Sequence, residues 1–517
     1  MICDLSGKGQ IQDSVDVIVI GGGTVGLPFA QGLAEQGLRV VCLESGGLKQ
    51  HEETHPLNTV IYKKSYYAGA DHGRFRALGG TSSRWGGALI PFQAADLRPE
   101  IWPVTMADLE PFVPHVERLF GLDAGPYEDL AFPFELSPNH VNRLAKWPSF
   151  ARRNVASLMG ARVRRDDRIS VWLNATVVAI HAKGPGEPVT VTAKTCAGDR
   201  IVVTAPRLVI AAGAIETTRL ALLLDRMTDG AIMRTSPALG RYFADHLSVG
   251  VAEIDCTDPF ELNTLIGFRF GKGGAMRNIR FELAPRARAR DTLPPGFAHI
   301  GFESDEPGGF DALRAVFRSL QNRRVPSLRT LAQLARQMPW LTRAVWWRFV
   351  HRRLLFPADC RLIVHIVAEQ EARSENCIKL STSQCDQLGV PLAEVSWNVD
   401  HADRSNVEGL AALFESTWNT TGFATLGRWR GYDSEGISRN LHNSAGIYHP
   451  TGSTRMARSA SEGVVDAQLR IFALPQVRLL ATSVLPTGGG ANPTMMLMLL
   501  AMRCLESMAA ETRVSLR

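Results

Sequence analysis

In the run DVIVIGGGTVG, Asp16 to Gly26, a compact β-branched segment ends in glycines spaced as Gly21-x-Gly23-x-x-Gly26. The apolar run Asp16–Ile20 predicts a buried parallel strand, because neither face of it alternates with polar residues. A helical pattern from Leu27 to Gln36 follows, stopped by Gly37, and Arg39–Leu43 makes a second strand closed by Glu44. Together they form a complete β-α-β unit. Gly21 permits the tight turn, Gly23 lets a pyrophosphate approach the backbone, and Gly26 allows the helix to pack closely on the strand. The phosphate then sits at the helix N-terminus beside Thr24 and Val25, where amide N–H groups and the helix dipole favour anions. Glu44 is placed to accept hydrogen bonds from a ribose diol. This unit predicts a dinucleotide-binding domain, and by itself it does not separate NAD from FAD.

Outward from that unit, residues 45–100 read as extended, loop-rich chain with a glycine cluster, LGGTSSRWGG, at Leu78–Gly87. A second β region runs from Ile169 to about Val203. It is followed by LVIAAGAIETTR, Leu208–Arg219, a hydrophobic strand entering a small-residue turn that suits a second approach to the same dinucleotide. In that β region Val177, after Asn174-Ala175-Thr176, offers a backbone edge to an adenine. Residues 225–440 change character, with irregular strands, Pro/Gly turns and a helical stretch from Leu313 to Phe356. The chain then returns to small and apolar residues and ends in a long helix. The expected organisation is a discontinuous dinucleotide-binding domain, 1–225 with 441–517, and a substrate-binding domain, 226–440, to which parts of 60–160 contribute.

Bulk properties exclude several classes. With 517 residues the chain can bury a large core, and its 45% hydrophobic and 21% charged residues are ordinary for a globular enzyme. The formal charge of +6 comes without a basic run or zinc-type spacing, so a nucleic-acid protein is not indicated. Eight scattered cysteines with no C-x-x-C pair read as reduced thiols in a cytoplasmic protein, and no metal site is expected. The N-terminus lacks the basic and apolar regions of a secretion signal, and no stretch of eighteen apolar residues exists. The protein is expected to be cytoplasmic, at most peripheral to a membrane.

The ordered set DVIVIGGGTVG, LGGTSSRWGG, LVIAAGAIETTRL, LGRYFADHL, HPTGSTRM and LPTGGGANPTMMLMLLAMR spans residues 16–503. It resembles the glucose-methanol-choline (GMC) oxidoreductase family, nearer its sugar-oxidising, pyranose 2-oxidase-like branch. The resemblance implies an α/β architecture: a Rossmann-type FAD-binding domain with an inserted α+β substrate domain on a mostly antiparallel sheet. It implies bound FAD, with Gly80, Thr81 and Ser82 along the pyrophosphate and ribityl chain, and Trp85 and Gly86 nearer the ring. Ala212 and Gly213 belong to the second approach, Ala481 and Thr482 to the ribityl contacts. Ala491, Asn492, Pro493 and Thr494 would meet the pyrimidine edge at the start of the final helix, whose N-terminus would stabilise negative charge on the reduced flavin. Two departures stand out. Arg84 occupies the position at which pyranose 2-oxidases carry a flavin-linked histidine, so non-covalent FAD is expected. Ala481 replaces an aspartate common before Thr482-Ser483-Val484-Leu485-Pro486.

Oxidising an alcohol by hydride transfer needs a base for the hydroxyl proton. By the resemblance that base is His449, and Asn492 is the second member of the pair. An imidazole accepts the proton while an amide orients the hydroxyl without competing for it. A histidine paired in a polar core is the plainer reading of His449 taken alone. His246 reads as cofactor-domain packing, and His365 and His442 as structural. The expected function is oxidation of a CH–OH group, with a sugar, glycoside or polyol as substrate and O2, a quinone or a cytochrome as electron acceptor. An FAD-containing lyase of the hydroxynitrile type and a flavin subunit relaying electrons to a cytochrome or quinone partner are the alternatives.

From Leu313 to Phe356 the chain carries ten arginines (314, 318, 323, 324, 329, 336, 343, 348, 352, 353) and no acid, interleaved with Trp340, Trp346, Trp347 and Phe349. Such a segment suits an anionic membrane surface or a partner protein. It equally suits a solvated helical face whose aromatics pack on the substrate domain, or a substrate entrance that prefers anionic compounds.

Overall fold

A computed structural model describes residues 1–6, 14–48, 54–303, 308–321, 325–357, 360–444 and 446–515. Val17–Ile20 lies at the centre of a seven-stranded sheet. The strand order is Ile2–Asp4, Ile169–Leu173, Val40–Leu43, Val17–Ile20, Arg207–Ile210, Leu474–Leu479 and Arg470–Ile471. All neighbours are parallel except the last pair, and Val17 faces both Val40 and Arg207 in register. Val17, Ile18 and Val19 are fully buried. The helix Gly26–Glu35 packs on the sheet, and a three-stranded antiparallel sheet (Thr176–Ala182, Val189–Lys194, Arg200–Ala205) lies against it. Burial on both faces is why the sequence shows a continuous apolar run there. The chain leaves Val17–Ile20 to one side for Val40–Leu43 and later returns to the other side as Arg207–Ile210. That reversal of strand order opens a crevice at the carboxyl ends of the strands, where open α/β sheets bind their ligands.

The second large sheet is antiparallel. Its order is Arg269–Phe270, Met276–Leu283, Gly296–Glu303, Arg361–Glu369, His246–Cys256 and Gly427–Gly431, and His140–Trp147 also pairs with Met276–Leu283. Register sorts its side chains by face. Opposed pairs include Arg280 with Arg143, Glu282 with Phe297, His299 with His365, and Glu369 with His246. These make one polar face. On the other, Leu144, Phe281, Ala298, Ile366, Leu247 and Val249 are buried, and the helix His401–Thr420 covers them with Phe414 stacked on Phe281 at 5.5 Å. Val60–Tyr62 joins a small mixed sheet with Pro391–Ser396 and Cys377–Cys385.

The stretch expected as helical from Leu313 to Phe356 is broken into Gly309–Gln321, Leu328–Arg336 and Met338–Trp346, followed by a π-turn at Trp347–His351. Ser327 caps the second helix and Pro339 opens the third, which is why one helix does not run through. Arg323 and Arg324 lie outside the described residues. Among the described residues no helix is long and apolar enough to cross a membrane, and no cluster of His, Cys, Asp or Glu has metal-binding geometry.

Candidate active site

The crevice above Val17–Ile20 is a cleft holding about 1390 Å³ of empty space, counting the part open to solvent. Gly21, Gly23, Thr24, Val25, Glu44, Gly80, Thr81, Trp85, Val177, Ala212, Gly213, Ala481, Thr482 and Thr494 all line it. The glycines divide by what a side chain would meet. Gly21 has φ +102°, and a Cβ on it would lie 2.5 Å from the Ala211 carbonyl oxygen; on Gly26 it would lie 2.0 Å from the Gly21 oxygen. Both are closed by the protein's own backbone. A Cβ on Gly23 would approach nothing nearer than the Gly80 Cα at 3.9 Å, so what Gly23 keeps clear is the cleft. Leu497 N–H bonds to the Pro493 carbonyl, and Thr494 and Leu497 line the cleft, so the final helix presents its N-terminal end there.

Glu44 is buried and accepts from the N–H groups of Gly22 and Gly46, both at 2.8 Å, while burial pushes its pKa up to about 7. Ser82 and Gly86 are not among the lining residues. The Ser82 hydroxyl donates to the Gly79 carbonyl and accepts from Val155 N–H, tying the turn to the helix Val155–Arg165. A Cβ on Gly86 would lie 2.6 Å from the Trp147 ring. Ala491 and Pro493 are buried beside the final helix. Arg84 is exposed, its guanidinium 5.3 Å from the Phe75 ring centre.

His449 and Asn492 meet beside the cleft, and neither is among its lining residues. Asn492 Nδ2 is 3.2 Å from His449 Nε2, and the flanking residues Tyr448, Pro450 and Thr494 line the cleft. With the amide as donor, Nε2 is the accepting nitrogen and the ring proton resides on Nδ1. Asn492 Oδ1 and His449 Nδ1 have no partner among the described residues. The loop bearing His449 is held by one buried carboxylate: Asp245 accepts from the backbone N–H groups of His449 (2.7 Å), Tyr448 (3.1 Å) and His246 (2.7 Å), and from the Tyr67 hydroxyl (2.7 Å). Those bonds hold Tyr448 at φ +66°, a conformation that costs a non-glycine residue about 1 kcal/mol or more. Thr482 Oγ1 donates to the Pro450 carbonyl at 2.6 Å, coupling the loop to the cleft wall.

The polar face of the antiparallel sheet adjoins this pair. The His246 ring stands edge-on to His449 at 5.3 Å and is 2.8 Å from the Gly489 carbonyl through Nε2. His299 stacks on His365 at 5.1 Å. Arg280 is buried, 4.1 Å from the Phe297 ring centre, and its Nε and Nη1 have no partner among the described residues. Burial first, then the neighbouring His246 and the Arg280 guanidinium, hold the His449 pKa well below its ordinary value. Burial likewise lowers His246 to about 4 and His299 to about 3.

Residues 372–501 match the family model for GMC oxidoreductases, and residues 15–233 match that for pyridine nucleotide-disulphide oxidoreductases. Through these matches the chain is similar to GMC oxidoreductases. It is FAD-dependent, with a Rossmann-type FAD-binding domain. It is 21% identical to 2-methyl-1,2-propanediol dehydrogenase of Mycolicibacterium austroafricanum, over 95% of this chain and 94% of the relative. Identity to 6'''-hydroxyparomomycin C oxidase of Streptomyces lividus is 23%, over 96% and 91%. In fold it is similar to pyridoxine 4-oxidase from Mesorbium loti, with a TM-score of 0.59 and 15% identity over 96% of this chain and 99% of that one. A fungal aryl-alcohol oxidase gives a TM-score of 0.58 and 16% identity over 97% and 100%.

Two groups in this chain escape sequence reasoning. Arg74, Arg76 and Glu216 form an ion cluster in the cleft wall, with Arg76 Nη2 2.9 Å from Glu216, whose pKa falls to about 2. Glu216 sits inside the quoted LVIAAGAIETTRL motif, but nothing local ties it to arginines 140 residues earlier. The second group is the polar face. His246 and His365, read as packing residues, stand on it with Arg280 and His299, whereas His442 is exposed on Ser434–Ser444.

Proposed function

We propose that this chain is a GMC oxidoreductase that oxidises a hydroxyl-rich substrate, a sugar, glycoside or polyol, with His449 as base and Asn492 as its orienting partner. The observation that carries the reading is the 3.2 Å contact between His449 Nε2 and Asn492 Nδ2 beside the cleft. FAD, when bound, supplies the hydride acceptor. His449 Nε2 takes the hydroxyl proton, and its depressed pKa keeps that nitrogen free to accept. The Asn492 carboxamide fixes the same hydroxyl without taking its proton.

The cleft supports a set of cofactor contacts. Gly23 gives the pyrophosphate access to the backbone, with Thr24 and Val25 beside it at the helix N-terminus, and Glu44 accepts from the ribose. The final helix N-terminus favours negative charge on the reduced ring. Arg84 offers no nucleophile for a flavin bond, which supports non-covalent FAD. Arg280, Ser248, His299, His365 and Glu369 share the polar face, and that density of donors and acceptors suits a substrate with several hydroxyls. A diol dehydrogenase and an aminoglycoside oxidase among the relatives are consistent with this class.

Anaerobic mixing of the holoenzyme with sugars, glycosides, polyols and simple alcohols tests the reading. Polyhydroxylated compounds should bleach the flavin fastest, and admission of air then reports oxygen reactivity. His449→Ala should keep its FAD yet bleach about a hundredfold more slowly or worse. Normal bleaching by that variant would remove His449 from the chemistry, and a panel that never bleaches would return the lyase reading.

A further inference from the structure

We propose that the insert between the strands Gly296–Glu303 and Arg361–Glu369 docks this protein on an anionic lipid bilayer. Neither helix Leu328–Arg336 nor helix Met338–Trp346 contains a buried residue. Val325, Leu328, Leu331, Met338, Val345, Trp346, Phe349 and Val350 are eight of the seventeen exposed large apolar side chains among the described residues, crowded into 26 positions. Leu328 is 85% exposed, Phe349 74% and Trp346 52%. Phe260, also exposed, touches Trp347 at 5.1 Å and extends the patch onto the helix Pro259–Ile266. So dense a concentration of exposed apolar side chains marks an interaction site, whereas scattered exposed residues do not.

The patch is anchored. Trp347 is buried, Trp340 Nε1 donates to the Phe356 carbonyl at 3.2 Å, Arg353 Nε donates to the Thr264 carbonyl at 2.9 Å, and Arg348 lies 3.8 Å over the Phe270 ring. These contacts divide the aromatics into two sets: Trp340 and Trp347 pack on the substrate domain, while Trp346 and Phe349 face outward. The sequence from 312 to 357 contains no aspartate or glutamate, and Arg329, Arg336, Arg343 and Arg352 are exposed around the apolar side chains.

Charge selects the occupant. Two copies joined through this face would oppose like charges. An anionic bilayer offers acidic headgroups to the guanidinium groups and hydrocarbon to Trp346, Phe349 and Leu328 within one interface. The insert connects the two strands that carry His299 and His365, so docking brings the lipid surface to the outer end of the sheet whose polar face adjoins His449.

Co-sedimentation of the FAD-loaded protein with vesicles tests this. Binding should be weak to phosphatidylcholine alone, rise when about a third of the lipid is phosphatidylglycerol, and fall with added salt. Replacing Leu328, Trp346 and Phe349 together by serine should abolish sedimentation while flavin absorbance and turnover of a soluble alcohol persist. Arg329→Gln, Arg336→Gln and Arg343→Gln combined should weaken binding to the anionic vesicles on the order of a hundredfold. The proposal is overturned if the anionic vesicles leave the protein in the supernatant, if they bind it no better than neutral ones, or if both variants bind unchanged. It is also overturned if the wild type is a dimer that the triple serine variant converts to a monomer, since a second copy would then cover the face.

Discussion

In the proposed role His449 acts as a base only while its imidazole is neutral, so the pH at which it protonates would set the acid limit of the reaction. Burial, the neighbouring His246 and the Arg280 guanidinium all disfavour the imidazolium, in that order. Activity should therefore be present above the depressed pKa and be lost as pH falls through it. The acid limb of kcat/KM is expected below pH 6.5, the ordinary histidine value. Arg280→Met removes one source of positive charge and keeps the bulk against Phe297, so its acid limb should move upward while the flavin stays bound. An acid limb at the same pH in both proteins would show that Arg280 does not act on His449. Arg280→Lys, which keeps the charge, should restore the wild-type profile and so separate electrostatics from packing.

At the scale of elements, the glycine turn between Val17–Ile20 and the helix Gly26–Glu35 makes two demands that substitution separates. Gly26→Ala drives a methyl group into the Gly21 carbonyl, where only backbone can yield, and should cost about 1–3 kcal/mol or more of stability along with the cofactor. Gly23→Ala meets only the Gly80 Cα at 3.9 Å. Its apoprotein should melt like the wild type, yet bind FAD at least about tenfold more weakly, because the methyl group points where the pyrophosphate must approach. Thermal melts with and without FAD read both effects, and equal FAD affinity for Gly23→Ala and the wild type would move the pyrophosphate elsewhere. This turn was legible in the sequence because its requirements are local: φ, close approach and an apolar strand. His449 and Asn492, 43 residues apart, were legible through the motifs around them. The polar face was not, since whether His299 and His365 share a side depends on antiparallel register between strands more than sixty residues apart. Nor could the cluster Leu78–Gly87 reveal that Ser82 holds the Val155–Arg165 helix and Gly86 accommodates Trp147, because those partners are distant in the chain.

Over the whole molecule, two opposing sets of buried titratable groups shape stability against pH. His140, His246, His299, His365 and His449 have depressed pKa values, burial being the first cause of each. Below pH about 6.5 the unfolded chain binds protons that these folded histidines refuse, so this set removes stability as pH falls. Glu44 and Glu369 are raised to about 7, Asp245 to about 6, and Asp96 and Glu282 are raised too, again through burial. Their folded forms keep protons that the unfolded chain has released, so this second set removes stability as pH rises above about 4.5. Between about pH 4.5 and 6.5 the two slopes oppose each other. Below that window the carboxyl compensation ends, and Glu216, lowered to about 2 by its arginines, adds its own loss. The melting temperature should therefore change little from pH 5 to 6.5 and drop steeply below 4.5. Glu369→Gln dissects the balance, because its amide oxygen still accepts from Gly489 N–H while the titration disappears. The variant should exceed the wild type at pH 8 by up to about 3 kcal/mol and show no gain at pH 4.5. Denaturant titrations at the two pH values measure this difference directly, and a gain of equal size at both would assign the effect to packing around Glu369 and not to its charge.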